Sequence, residues 1–206
     1  MVRLLKPATF ILSLLPLTWI FYQVWLLQAG TSHDLGADPG KAIVLFFGEW
    51  TIRFLVITLA LTPLRTLLEE TWPIRVRRML GLFTFFYASL HLVSYAVFLL
   101  ELDLGNIARD LVKRPYISVG FAGWLLLLPL AVTSTNAMVR RLGRHWRSLH
   151  RLVYCVAVLA VLHVFWLAKS SYFDAFFYGS LLLFLLASRY FSGVLGLLPK
   201  RIKALF

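Results

Sequence analysis

The chain has 206 residues, a formal net charge of +12 and 60% hydrophobic residues, with a mean hydropathy of +0.80. That composition excludes an ordinary soluble domain. Once the apolar runs are set aside, too little chain is left for a soluble nucleotide-binding domain, and no glycine-rich phosphate loop is present.

A membrane-crossing helix takes about 20 mostly apolar residues. Six runs fit: Phe10–Gln28, Ile43–Leu64, Met79–Leu100, Tyr116–Thr135, His150–Ala168 and Ala175–Phe191. The expectation is an all-α integral membrane protein, one domain over 1–206, with six transmembrane helices. With the N-terminus inside, the inner set of Lys and Arg is Arg3, Lys6, Arg65, Arg75, Arg77, Arg78, Arg140, Arg141, Arg144, Arg147, Arg151, Arg189, Lys200, Arg201 and Lys203. The outer set is only Lys41, Arg109, Lys113, Arg114 and Lys169. This asymmetry follows the positive-inside rule and places both termini in the cytoplasm. The charge is therefore assigned to topology, and no nucleic-acid partner is expected.

Arg3 and Lys6 ahead of the first run also suit a secretory signal. The run is long and no small-x-small site closes it, so it is read as an uncleaved span, kinked at Pro16. In the following loop, His33, Asp34 and Asp38 suit either a solvated turn or a metal or partner contact. The second span carries Glu49 and Arg53, four apart with the acid first, the order of an intrahelical ion pair. Intramembrane charges usually face the bundle interior. Arg53 is read either as half of a structural pair or as a contact for a haem propionate or a quinone head group. Thr62-Pro63 is expected to end this helix.

His91 lies near the middle of the third span, and Tyr87, Ala88, Ser94, Tyr95 and Thr84 share its face. The stretch 102–115 is read as an outer loop, and Pro115 opens the fourth span. Pro129 is expected to kink that span, which Thr133, Ser134, Thr135 and Asn136 end. Then comes RRLGRHWRSLHRLVYCVAVLAVLHVFW at 140–166, a basic collar followed by an apolar run with His150 and His163. Cys155 is read as a small buried apolar residue. The tail LPKRIKALF is expected on the inner membrane surface. No internal repeat is evident.

An ionisable side chain inside a span marks a functional site by default, and neutral imidazole is the usual protein ligand for haem iron. The third and fifth spans both run from inside to outside. His91 is twelve residues in from Met79 and His163 thirteen in from His150, so both lie roughly 18–20 Å from the inner face at 1.5 Å per residue. Matched depth suits one haem between helices 3 and 5. His150 lies about 20 Å further inward by the same rise. It is a candidate ligand for a second haem, or a structural histidine. At its level the third span offers Arg77, Arg78 and Met79 rather than a histidine. The arginines Arg77, Arg78, Arg144 and Arg147 suit haem propionates or a flavin phosphate, or else simply mark the inner face. Trp146 among them would stack on a flavin ring or anchor the helix at the interface. A zinc site would want three or four close ligands, and no acyl-transfer constellation is present.

The runs LGADPG at 35–40, TPLR at 62–65, RVRRMLGL at 75–82, HLVSY at 91–95, KRPYISVG at 113–120, LAVTSTNAM at 130–138 and GRHWRSLHRLVY at 143–154 resemble the MsrQ (YedZ) family. More distantly they resemble the ferric reductase-like transmembrane proteins. The resemblance covers nearly the whole chain. It implies a six-helix bacterial inner-membrane subunit binding one or two b-type haems and FMN, with functional histidines at His91, His150 and His163. It implies electrons taken from the quinone pool or a cytosolic flavin reductase. They would pass to MsrP, a periplasmic molybdopterin enzyme that reduces methionine sulfoxide in proteins. No independent substrate-converting site is evident. The alternatives are a ferric reductase-like haem oxidoreductase with no dedicated protein partner, a haem-free transporter whose histidines gate protons or an ion, and an assembly factor for the molybdoenzyme.

Overall fold

The structure, a computed structural model, describes residues 2–167 and 172–197. Lys169 and the basic tail 198–206 lie outside the described residues. All regular structure among them is helical: α1 Val2–Gln28, α2 Pro39–Leu68, α3 Trp72–Phe98, α4 Leu104–Lys113, α5 Pro115–Val132, α6 Asn136–Leu142, α7 Arg144–Leu149, α8 Leu152–Leu167 and α9 Phe173–Leu197. Five stretches are long and apolar enough to cross a membrane: 4–28, 39–68, 72–98, 115–132 and 144–167. A shorter apolar segment, Phe173–Ser188, lies in α9.

Helix starts follow local chemistry. Asp38 caps α2 by accepting from the Lys41 amide at 3.0 Å, with Pro39 in the first turn. Asp103 caps α4 by accepting from the Gly105 and Asn106 amides at 2.7 and 3.1 Å. The stretch expected as an outer loop is therefore largely helix. Its apolar positions are too few to read as a span, and the cap and one buried face are enough to form it.

Thr62-Pro63 does not end α2, which continues to Leu68 and stops at Glu69, φ 56°. Proline removes one backbone hydrogen bond and bends a helix. It need not stop one whose flanks stay packed. Leu59 and Leu61, just before it, are buried, and Leu61 packs in one cluster with Val76 and Leu80 of α3.

The helices α2 and α3 form one antiparallel hairpin, and α5 pairs with α8 through the short α6 and α7. Helix α3 touches α5, and α9 bridges α2 and α8, closing a ring of five. Helix α1 packs outside that ring on α3. Lipid tails are as apolar as leucine, so the ring is held by close packing and interhelical hydrogen bonds rather than by escape from water. Tyr87, wholly buried among Phe47, Trp50, Phe54 and Phe83, donates from its hydroxyl to the Ser13 carbonyl at 2.8 Å, tying α3 to α1. The Trp124 indole N–H donates to Ser89 Oγ at 3.0 Å, tying α5 to α3. A second cluster, built on Leu55, Leu59, Ala88, Leu127, Val156 and Leu182, fills the centre of the ring. Cys155 is exposed rather than buried; its neighbours Val153, Val156 and Ala157 occupy the inward face of α8.

Candidate functional site

The ring closure brings His91 of α3 and His163 of α8 together. Their ring centroids are 6.2 Å apart and their planes cross at 83°. The nitrogen Nδ1 of His91 lies 2.8 Å from the Val44 carbonyl of α2, and Nδ1 of His163 lies 2.6 Å from the Tyr116 carbonyl of α5. A carbonyl only accepts, so in neutral imidazole each Nδ1 carries the proton and each Nε2 keeps its lone pair. Such a hydrogen bond fixes tautomer and orientation at metal-ligating histidines.

The pair fits a metal held between two imidazoles. With a metal–nitrogen bond of about 2 Å and about 1.2 Å from ring centre to ring atom, two collinear imidazoles put their centroids about 6.3 Å apart. Among the described residues no group of three or more His, Cys, Asp or Glu is placed to hold a metal ion. Two neighbouring imidazoles, with no group of three or more such ligands among the described residues, suit a haem better than a tetrahedral zinc.

His150 stands apart from this pair. It is the C-cap residue of α7, and α8 begins at Leu152. The continuous-helix geometry expected between His150 and His163 therefore does not apply. Its ring stacks on Trp146, centroids 3.9 Å apart, and its Nδ1 lies 3.1 Å from the Trp146 carbonyl. Its Nε2 is buried with no hydrogen-bond partner. A cavity of about 480 Å³ opens here, lined by His150, Trp146, Arg77, Arg78, Arg147 and Arg151 among others. The Arg78 guanidinium donates to Asn136 Oδ1 at 2.7 Å. Trp146 uses its indole N–H on the Thr133 carbonyl at 2.9 Å, so it is fixed within the fold rather than serving as a free interface anchor.

Two of the arginines singled out from the sequence are not part of either arrangement. Arg144 is exposed at the start of α7 and is not among the residues lining the cavity. Arg53 does not face the ring interior. It pairs with Glu49 at 2.7 Å, both side chains substantially exposed, and sits over the Trp50 ring in a crevice between α1 and α2. The interior azimuth of α2 is taken by Gly48, Leu55 and Leu59 instead.

At the α4 end of the bundle, Tyr95 donates to the buried Asp110 at 2.5 Å, and Arg114 pairs with the same carboxylate at 3.2 Å. Arg114 also reaches Tyr116 Oη at 3.4 Å, and that bond, with Tyr116 and Asp110 beside it, pushes the guanidinium pKa further up. This network straps α4 across α3 and α5. His33, Asp34 and Asp38 form a structured turn: Asp34 exchanges two hydrogen bonds with the Gln23 amide side chain, and Asp38 is the helix cap.

Sequence reasoning missed Gly48 and Gly120. A Cβ on Gly48 would lie 3.0 Å from His91 Cε1, and one on Gly120 would lie 2.7 Å from His163 Nδ1. The signal was present: each glycine precedes its histidine by the same 43 positions. Each carbonyl likewise precedes its histidine by 47. The second carbonyl, glycine and histidine each lie 72 positions beyond the first, as 163 lies beyond 91. The two hairpins thus repeat one device, a repeat the residue identities hide.

The ferric reductase like transmembrane component family matches residues 47–161, a range that holds Gly48, His91, Tyr116, Gly120 and His150, with Val44 and His163 just beyond its two ends. A Polaromonas naphthalenivorans protein is 46% identical over 187 residues, 89% of this chain and 83% of the relative. A Xanthomonas euvesicatoria pv. vesicatoria protein is 51% identical over 173 residues, 84% and 78% of the two chains. A Xanthomonas campestris pv. campestris protein is 50% identical over 188 residues, 89% and 84%. Each is described as the protein-methionine-sulfoxide reductase heme-binding subunit MsrQ. The chain belongs to the MsrQ family. Like that family's other members it is a multi-pass membrane protein, and the histidine pair lies on helices that the MsrQ match covers.

Proposed function

We propose that this chain binds b-type haem and carries electrons across the bacterial inner membrane for a methionine sulfoxide reductase system. The observation that carries the reading is the His91–His163 pair: two rings on two helices, each tautomer fixed by a carbonyl of a third and fourth helix, at the separation one metal requires. His91 and His163 would hold the group, which when bound supplies one-electron chemistry. Held by two imidazoles, the group would have no open position for oxygen, and its chemistry would be passage of electrons rather than activation. The Nδ1 hydrogen bonds would keep both rings in place as electrons pass.

The topology that goes with this reading has six spans and both termini inside. It puts α6 and α7 with their arginines at the inner face, and α4 and the Gly30–Lys41 loop at the outer face. Those outer segments would dock a periplasmic molybdopterin partner of the MsrP type. The inner cavity would take an anionic group on Arg77, Arg78 and Arg147, with Arg144 at its approach. The group would be the phosphate of FMN, or the propionates of a second haem with His150 as its one protein ligand. Electrons would enter from the quinone pool, with Arg53 in the lipid-facing crevice, or from a cytosolic flavin reductase.

The test is the dithionite-reduced minus oxidised spectrum of the purified protein, followed by reduction of an MsrP partner in its presence and absence. A paired-imidazole b-type spectrum and partner reduction that needs this chain are expected. A protein without a Soret band ends the proposal. The ferric reductase like match favours one second reading, direct reduction of ferric chelates, and rapid chelate reduction with no partner present would select it.

A further inference from the structure

The seats of the two histidines do more than make room. The carbonyl of residue i in a helix already accepts from the amide of i+4. A ring that bonds the same carbonyl lies over residue i+4, where a Cβ would stand. Val44 and Gly48 on α2 form such a seat, and so do Tyr116 and Gly120 on α5. The carbonyl fixes where Nδ1 sits, and the bare glycine Cα lets the ring edge press against the helix. Together they fix the plane of each ring. The two seats belong to repeated hairpins. Held in these two seats, the ring planes cross at 83°.

We propose that Gly48 and Gly120 are positioning residues that hold the His91 and His163 imidazoles crossed on a shared iron. The inference rests on the reading that this pair ligates haem, and adds a property that ligation alone does not require. An imidazole interacts through its π system with one of the two iron dπ orbitals. Parallel rings act on the same orbital and split the pair; crossed rings act on one each and leave them nearly degenerate. Near-degeneracy gives low-spin ferric iron a paramagnetic resonance spectrum dominated by one very low-field feature. Parallel rings give three well-resolved lines.

The experiment is low-temperature resonance spectroscopy of the oxidised protein in a His150→Ala background, where only this pair supplies two imidazoles. Haem content is measured on the same samples. The single low-field feature is expected. Gly120→Ala, whose new Cβ would meet the ring at 2.7 Å, should lose more than half of it, to three-line or high-spin signals. Gly48→Ala, at 3.0 Å, should shift it less. Gly123→Ala is the control on α5, since its Cβ would meet only Leu159 at an ordinary 3.8 Å, and should leave the spectrum unchanged. If Gly120→Ala loses haem altogether, Gly48→Ala decides. A haem-loaded protein with a three-line spectrum overturns crossed rings while leaving the haem reading intact. A low-field feature that survives both seat variants overturns the role of the glycines. A protein that binds no haem removes the underlying reading, and this inference with it.

Discussion

At the His91–His163 pair each ring is held by a carbonyl of a neighbouring helix; at His150 the ring is held by its own, through Trp146. The His91–His163 pair is gripped from four helices. His150 ends the short α7 beside a cavity, its Nε2 buried without a hydrogen-bond partner and arginines for neighbours. The residue 72 positions before His150 is Arg78, so the spacing that matches His91 to His163 matches His150 to a guanidinium lining the same cavity. The carbonyl-and-glycine seat thus serves the His91–His163 pair alone among the described residues, and the His150 region is an open, cationic cavity. A closed site suits a group that never leaves. An open one suits a group that accepts electrons from outside the bundle.

The largest effect should come from removing a ring of the His91–His163 pair. In His91→Ala or His163→Ala, haem per protein should fall more than tenfold by pyridine haemochrome assay, while His150→Ala keeps at least half. Full haem in both variants of the pair would erase the distinction between the two sites. Next is Arg78→Leu, which removes a cation from the inner cavity. A charge-assisted contact is worth about 1.5–3 kcal/mol, so FMN binding followed by fluorescence should weaken about tenfold or more. Unchanged affinity would show that the cavity is not where the phosphate goes. Asp110→Asn should leave haem content alone and lower thermal stability by about 1–3 kcal/mol, because it weakens the strap from α4 to Tyr95 and Arg114. Haem loss in that variant would tie the strap to the histidine pair. The smallest effect is expected from Arg53→Leu: normal haem content, and quinol-driven reduction slowed about threefold, as for a partly exposed contact. A large loss of haem would return Arg53 to the ring interior.

Hydropathy and charge are local sums over consecutive residues, so the sequence by itself determined the apolar helices, the basic collar and the two histidines at matching depth on their helices. Depth is rise along an axis, and rise needs only counting. Azimuth is different. Which way a side chain faces depends on how helices far apart in the chain pack, and the residues that settle it can be small and silent, as Gly48 and Gly120 are. Only the tertiary structure decided that His91 leans on Val44 and His163 on Tyr116, and that their planes cross. It also decided that the helix breaks at His150, and that Arg53 and Glu49 look out toward α1 because glycine and leucine took the inward face of α2.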